Sequence, residues 1–217
     1  MASASVPARA TSRPPWETIV AVAAVVSLAL WPLEIHRAFG LPAHPLIIHV
    51  PVIFVPILGL TVLAVMFNFR WFERYGVLVA AFSVAALAGT LLAVGAGQAF
   101  QEDREQGFPG GGIENPTLHD HEDAGITLRL IMVILTALLV GLLWARRLPN
   151  AAVLVLRVLA VLFALGAIVM VIRTGHLGAK LAWGEREGGP PAGFQGGGFP
   201  GQNGQPPAGT APDGGGG

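Results

Sequence analysis

The 217-residue chain contains no cysteine, which removes disulfides and thiolate metal ligands and leaves histidine and carboxylate as its strongest ligands. Charge is scarce too: Lys, Arg, Asp and Glu make up 12% of the residues, against roughly 25% in soluble domains. No Asp or Glu lies well inside a long apolar window. An ion-coupled transporter, which needs ionisable carboxylates near the midplane, is therefore disfavoured. The sequence also lacks a nucleophile–base signature, a phosphate loop and a basic face. Enzyme activity is unsupported, and nucleic acid is excluded as a partner.

What is present is apolar. Hydrophobic side chains account for 53% of the chain and the mean hydropathy is +0.63, so the lipid bilayer is its expected surroundings. Five windows, at about 18–35, 46–68, 76–98, 124–145 and 151–173, each approach the roughly 20 apolar residues that cross a hydrocarbon core. The expected fold class is an all-α integral membrane protein with five transmembrane helices. Short connections make this a compact antiparallel helical bundle, its first helix an anchor over 18–40 after a short segment 1–17. "SLAL" at 27–30 would suit signal-peptide cleavage after Ala29, but the apolar run continues to Leu33 and favours an uncleaved anchor. Residues 188–217 are mostly Gly and Pro and predict a disordered tail.

Arginines set the expected orientation. Arg9 and Arg13 precede the first helix, Arg70 and Arg74 fall between the second and third, and Arg146 and Arg147 between the fourth and fifth. These segments should be cytoplasmic, giving a multi-pass protein of the cell (inner) membrane with its N-terminus inside and C-terminus outside. All six histidines then lie at the outer end.

His49 sits four residues beyond Pro45, about 6 Å below the start of its helix at 1.5 Å per residue. Polar rings at that depth need partners. His49, His121 and His176 are the candidates to converge at the outer end, with Pro51 and Pro56 bending the helix so that His49 turns inward and His44 stays at the rim. Arg129 and Arg173 lie in the outer halves of their helices and would face an anionic group such as a cofactor propionate. A stripe of small residues, Ala81, Ala85, Gly89, Ala93 and Gly97, offers close helix packing or room for a flat cofactor.

"HPLIIHVPV" resembles the HPL-x-x-H-x-P opening of the prokaryotic membrane family catalogued as domain of unknown function 2231. "GQAF", "HDHEDAG" and "TGHLGAKLAW" resemble its later elements in the same order. The resemblance, over about 42–184, implies a four-helix membrane domain. It singles out His44, Pro45, His49, Pro51, Gly97, Ala99, His121, Glu122, Gly175, His176, Gly178 and Leu181. Ala179 and Lys180 depart from the family pattern, and "AWGERE" replaces its continuation, which puts a histidine-borne contact there in doubt.

Two functions follow as expectations. In one, His44, His49, His121, His176 and Glu122 supply a metal centre, b-type haem first and copper or zinc after it. Glu122 would fix a ring tautomer. Electrons would pass to a quinone or an outer cytochrome. In the other, the chain is a non-catalytic membrane subunit or scaffold that docks another subunit on its outer rim.

Overall fold

The computed structural model describes residues 16–107 and 116–183, apart from the side chains of 104–107 and 146. The expectations for Arg9, Arg13 and the Gly/Pro tail lie outside those residues. Helix α1 spans Trp16–Ser27 and continues as a 3₁₀ turn over Leu28–Leu30. A two-stranded hairpin follows, β1 (Arg37–Ala38) paired with β2 (Leu41–Pro42). Its turn residues Phe39 and Gly40 have φ of 53° and 79°. Two successive positive φ values are what a two-residue turn matched to strand twist requires.

The core begins with α2 (Ala43–Ile47) and α3 (His49–Phe67), which together make one 25-residue apolar span. Ile48 between them keeps helical dihedrals. Pro51 has no N–H to give the Ile47 carbonyl and its ring crowds that oxygen, so the helical ladder is interrupted there. Asn68 alone, in an extended conformation, separates α3 from α4 (Phe69–Gly107). Helix α5 spans Pro116–Leu142, and a 3₁₀ turn at Ala145–Arg147 leads into α6 (Asn150–Trp183).

Among the described residues four helices are thus long and apolar enough to cross a membrane, joined by a shorter apolar N-terminal helix. The first helix is shorter than the 18–35 window because the chain turns at Trp31 toward the hairpin. By contrast α4 takes in Arg70 and Arg74, where a loop was expected. Its 39 residues reach about 58 Å at 1.5 Å each, well beyond a hydrocarbon core of about 30 Å.

Each long helix packs on the next, α3 on α4, α4 on α5 and α5 on α6, and α6 closes the ring against α3. Helix α1 lies outside the ring against α4 and α5. Small residues set how closely the helices approach. Ala160, Ala164 and Ala167 are the fully buried face of α6, and Leu58, Leu87, Leu91, Leu135 and Leu139 fill the centre. A Cβ on Gly59 would lie 2.7 Å from Ile168 Cδ1, and one on Gly89 would collide with Val50. Because lipid is as apolar as leucine, this close packing replaces the hydrophobic drive available in water. Thr136 adds a polar tie, donating across to the Ser83 carbonyl of α4 at 3.3 Å.

At the end away from the histidines, Arg157 donates from Nη2 to the Met66 carbonyl at 2.6 Å and lies 4.6 Å from the centroid of Phe69. It neutralises the carbonyl-rich C-terminus of α3, a favourable place for a cation.

The N-terminal segment is seated by one glycine. A Cβ on Gly95 would overlap the Leu33 carbonyl oxygen, a backbone atom that cannot rotate away. Gly95→Ala should therefore displace the Trp31–His36 link and cost about 1–3 kcal/mol of stability, the usual range for overpacking. Gly141→Ala, with nothing among the described residues within 4 Å of its Cβ, is the control. Thermal unfolding in detergent measures both, and equal midpoints for the two variants would contradict the assignment.

Candidate functional site

Two histidines turn inward at one end of the bundle, and they are His44 and His121. His44 lies in the first turn of α2, preceded by the hairpin, whose closure is extended by the Ala43 N–H donating to the His36 carbonyl at 3.1 Å. Its ring donates from Nδ1 to the Ala93 carbonyl of α4 at 3.0 Å. Four residues further along α4, Gly97 lies under the same ring: a Cβ there would be 3.1 Å from His44 Cε1. Phe100, one turn beyond, stacks on His44 with centroids 6.3 Å apart and planes 16° from parallel.

His121 repeats the arrangement in the second half of the bundle. It lies in the second turn of α5 and donates from Nδ1 to the Thr174 carbonyl of α6 at 3.0 Å. Four residues further along α6, Gly178 lies under the ring, its Cβ position 3.2 Å from His121 Cε1. Carbonyl at one position and glycine four residues later thus recur in both helix pairs. The two rings meet with centroids 6.3 Å apart and planes 86° to each other.

The chemistry follows from these bonds. A neutral imidazole has one N–H and one lone pair, and a carbonyl accepts only from the N–H. Both histidines are therefore held as Nδ1–H tautomers with the Nε2 lone pair available. The part expected of Glu122, accepting from a ring N–H, is taken by backbone carbonyls.

The remaining candidates stand elsewhere. The expectation that His49 turns inward with His44 at the rim is reversed: His49 is exposed and its Nδ1 bonds within its own helix, to the Leu46 carbonyl at 3.3 Å. His176 and Arg173 are exposed, and Glu122 is half-buried. Among the described residues, His49, His121 and His176 are not gathered into a group of three ligands. Helical register explains the difference. His49 shares its face with the exposed Ile53, Ile57 and Leu60, and His176 shares one with Val169 and Ile172. His121 shares its face with the buried Ala124, Leu128 and Met132.

Arg129 is buried, 7% exposed, with its guanidinium carbon 4.0 Å from the centroid of Trp31. Its Nε has no hydrogen-bond partner among the described residues. The π face of Trp31 thus stands where an anion was expected, and a desolvated cation gains most from such a contact. Sequence reasoning missed this pairing because Trp31 was assigned to the first apolar run. It also passed over Phe100, although that residue ends "GQAF".

The inward pair draws one residue from each of the four quoted sequence elements: His44, Gly97, His121 and Gly178. No curated protein and no solved structure matches the chain. The sequence profile of the family described as Predicted membrane protein (DUF2231) matches residues 40–188, which contain all four long helices and both inward histidines, and the chain belongs to that family.

Proposed function

We propose that this membrane protein carries electrons through a b-type haem held between His44 and His121. The observation that carries the reading is the pair itself: two imidazoles from different helix pairs, each oriented through Nδ1 by a backbone carbonyl, which leaves the lone pair on Nε2. Two imidazoles on opposite sides of one metal, bound at about 2 Å, would have ring centroids about 6 Å apart. The observed separation is 6.3 Å.

The number of ligands favours haem over a bare ion. Among the described residues no third histidine or carboxylate joins the pair in a three-ligand group. Structural zinc takes four protein ligands, and catalytic zinc three. A haem brings its own four equatorial nitrogens and asks the protein only for axial ones. Facing sites between the helices of a four-helix bundle suit that demand. His49, His176 and Arg173, exposed on their helices, have no part in this reading, and Arg129 contributes a buried positive charge two turns along α5 from His121. The electron partner would be a quinone or a cytochrome.

Orientation belongs to the proposal too. Arg70, Arg74 and Arg147 gather at the end opposite the inward histidines, which supports an extracytoplasmic histidine end. A reporter fused at Pro149 should read cytoplasmic and one at Gly217 extracytoplasmic. The reverse pattern would turn the site toward the cytoplasm.

Asparagine separates ligation from structure, because its amide N–H can replace Nδ1–H while nothing replaces Nε2. Protein produced with ample haem should show a low-spin b-type spectrum. His44→Asn or His121→Asn should weaken or abolish it while the protein still inserts and keeps its helicity, since insertion depends on the apolar runs. His49→Ala should leave the spectrum unchanged. Wild-type protein that stays colourless and iron-free would overturn the reading and favour a docking subunit.

A further inference from the structure

Three ligand-type side chains outside the inward pair meet at the rim of the same end. Glu34 and His36 come from the link between the 3₁₀ turn and β1, and Glu102 from the late turns of α4. One ligand atom from each lies within 4.8 Å of the others, and all three residues are exposed. They form the one such group of three among the described residues. Beside them, His36 Nδ1 is 3.0 Å from Asp103 Oδ1.

Each half of this group is held from behind. The Leu33 carbonyl rests against Gly95, two helical turns before Glu102, so the backbone next to Glu34 is pinned to α4. The His36 carbonyl accepts from the Ala43 N–H. The two glutamates are therefore kept near each other. Like charges so placed repel, and neither has a Lys or Arg partner among the described residues. The one ion pair there joins His36 to Asp103, which adds a third carboxylate.

The donor set specifies what would relieve the repulsion. A proton or a hard cation would be served by carboxylates alone, whereas an imidazole nitrogen with two carboxylate oxygens suits a first-row divalent ion. With Asp103 accepting from Nδ1–H, the lone pair of His36 is at Nε2. That is the carboxylate–histidine–metal arrangement, in which the outer carboxylate fixes the ring and raises its basicity. We propose that Glu34, His36 and Glu102 bind a divalent transition-metal ion such as zinc, with Asp103 as the residue that orients His36.

Three protein ligands leave coordination positions for water, as in sites that exchange their fourth ligand. Glu34 and His36 precede the family match at residue 40, while Glu102 lies within it. The site thus belongs to the junction between the added N-terminal segment and the shared bundle. It is independent of the haem reading.

The test is a zinc titration of the full-length protein in detergent after stripping with a chelator, read by calorimetry or by competition with a chromophoric chelator. Wild type should bind zinc at this site, resistant to excess magnesium. Glu34→Gln, His36→Ala or Glu102→Gln should each weaken it by about tenfold or more, and Asp103→Asn by about 10- to 100-fold, the range for outer carboxylates. The His44→Asn/His121→Asn double variant should keep it. Because the substituted rim residues are exposed, helicity should not change, and circular dichroism checks this. Zinc binding by the Glu34→Gln/His36→Ala/Glu102→Gln triple variant equal to wild type would overturn the proposal, as would loss of binding only in the His44→Asn/His121→Asn variant.

Discussion

The hydrogen bond from a histidine Nδ1 to a carbonyl of the neighbouring helix is the interaction on which this end of the bundle depends. It occurs twice, His44 to Ala93 and His121 to Thr174, each at 3.0 Å. Inside a bilayer no water is at hand to satisfy a ring nitrogen, so its partner must come from the protein. A carbonyl in the interior of a regular helix already accepts from the residue four positions later, and a second donor has to approach from the side. In both cases the residue four positions later is glycine, Gly97 or Gly178, and the missing Cβ is what opens that approach.

The same economy runs along the whole of α4. Gly89 receives Val50, Gly95 receives the Leu33 carbonyl and Gly97 receives His44, so three different segments dock on one helix at residues without side chains. Glycine weakens an isolated helix by about 1 kcal/mol relative to alanine. In a bundle that must associate without a hydrophobic drive, the packing and hydrogen bonds gained across the interface outweigh that loss. The small-residue stripe of α4 therefore receives α2 and α3, while the N-terminal link docks at Gly95 on a different face of the same helix.

How much of this the sequence reveals depends on which physical signal is asked. Length and hydropathy were enough for the four spans, because a bilayer demands long apolar runs whatever their sequence. Helix ends were less legible: α4 extends through Arg70 and Arg74, which hydropathy assigns to a loop, since helices can project beyond the hydrocarbon region. Which histidine faces inward was not legible from hydropathy. In α3 the lipid-facing Ile53, Ile57 and Leu60 are as apolar as the buried Val55, Leu58 and Val62, so no amphipathic contrast marks the core face. The usable signal was different in kind. His44 lies seven residues before the buried Pro51 and eleven before Val55, whereas His49 is in step with the exposed isoleucines.

Arg129 shows how that placement bears on function. A buried guanidinium whose Nε is unpaired among the described residues, set over the face of Trp31 in a membrane span, is an expensive residue, and intramembrane cations of this kind mark places where a function uses their charge. His121 and Arg129 are eight residues apart on α5, about 12 Å at 1.5 Å per residue. A fixed positive charge at that distance in a poorly screened interior favours whichever state of a neighbouring centre carries more negative charge. For a redox centre between His44 and His121 that is the reduced state. On the proposed reading the N-terminal segment would serve the site as well as the fold, because it brings Trp31 over the cation and Leu33 against Gly95.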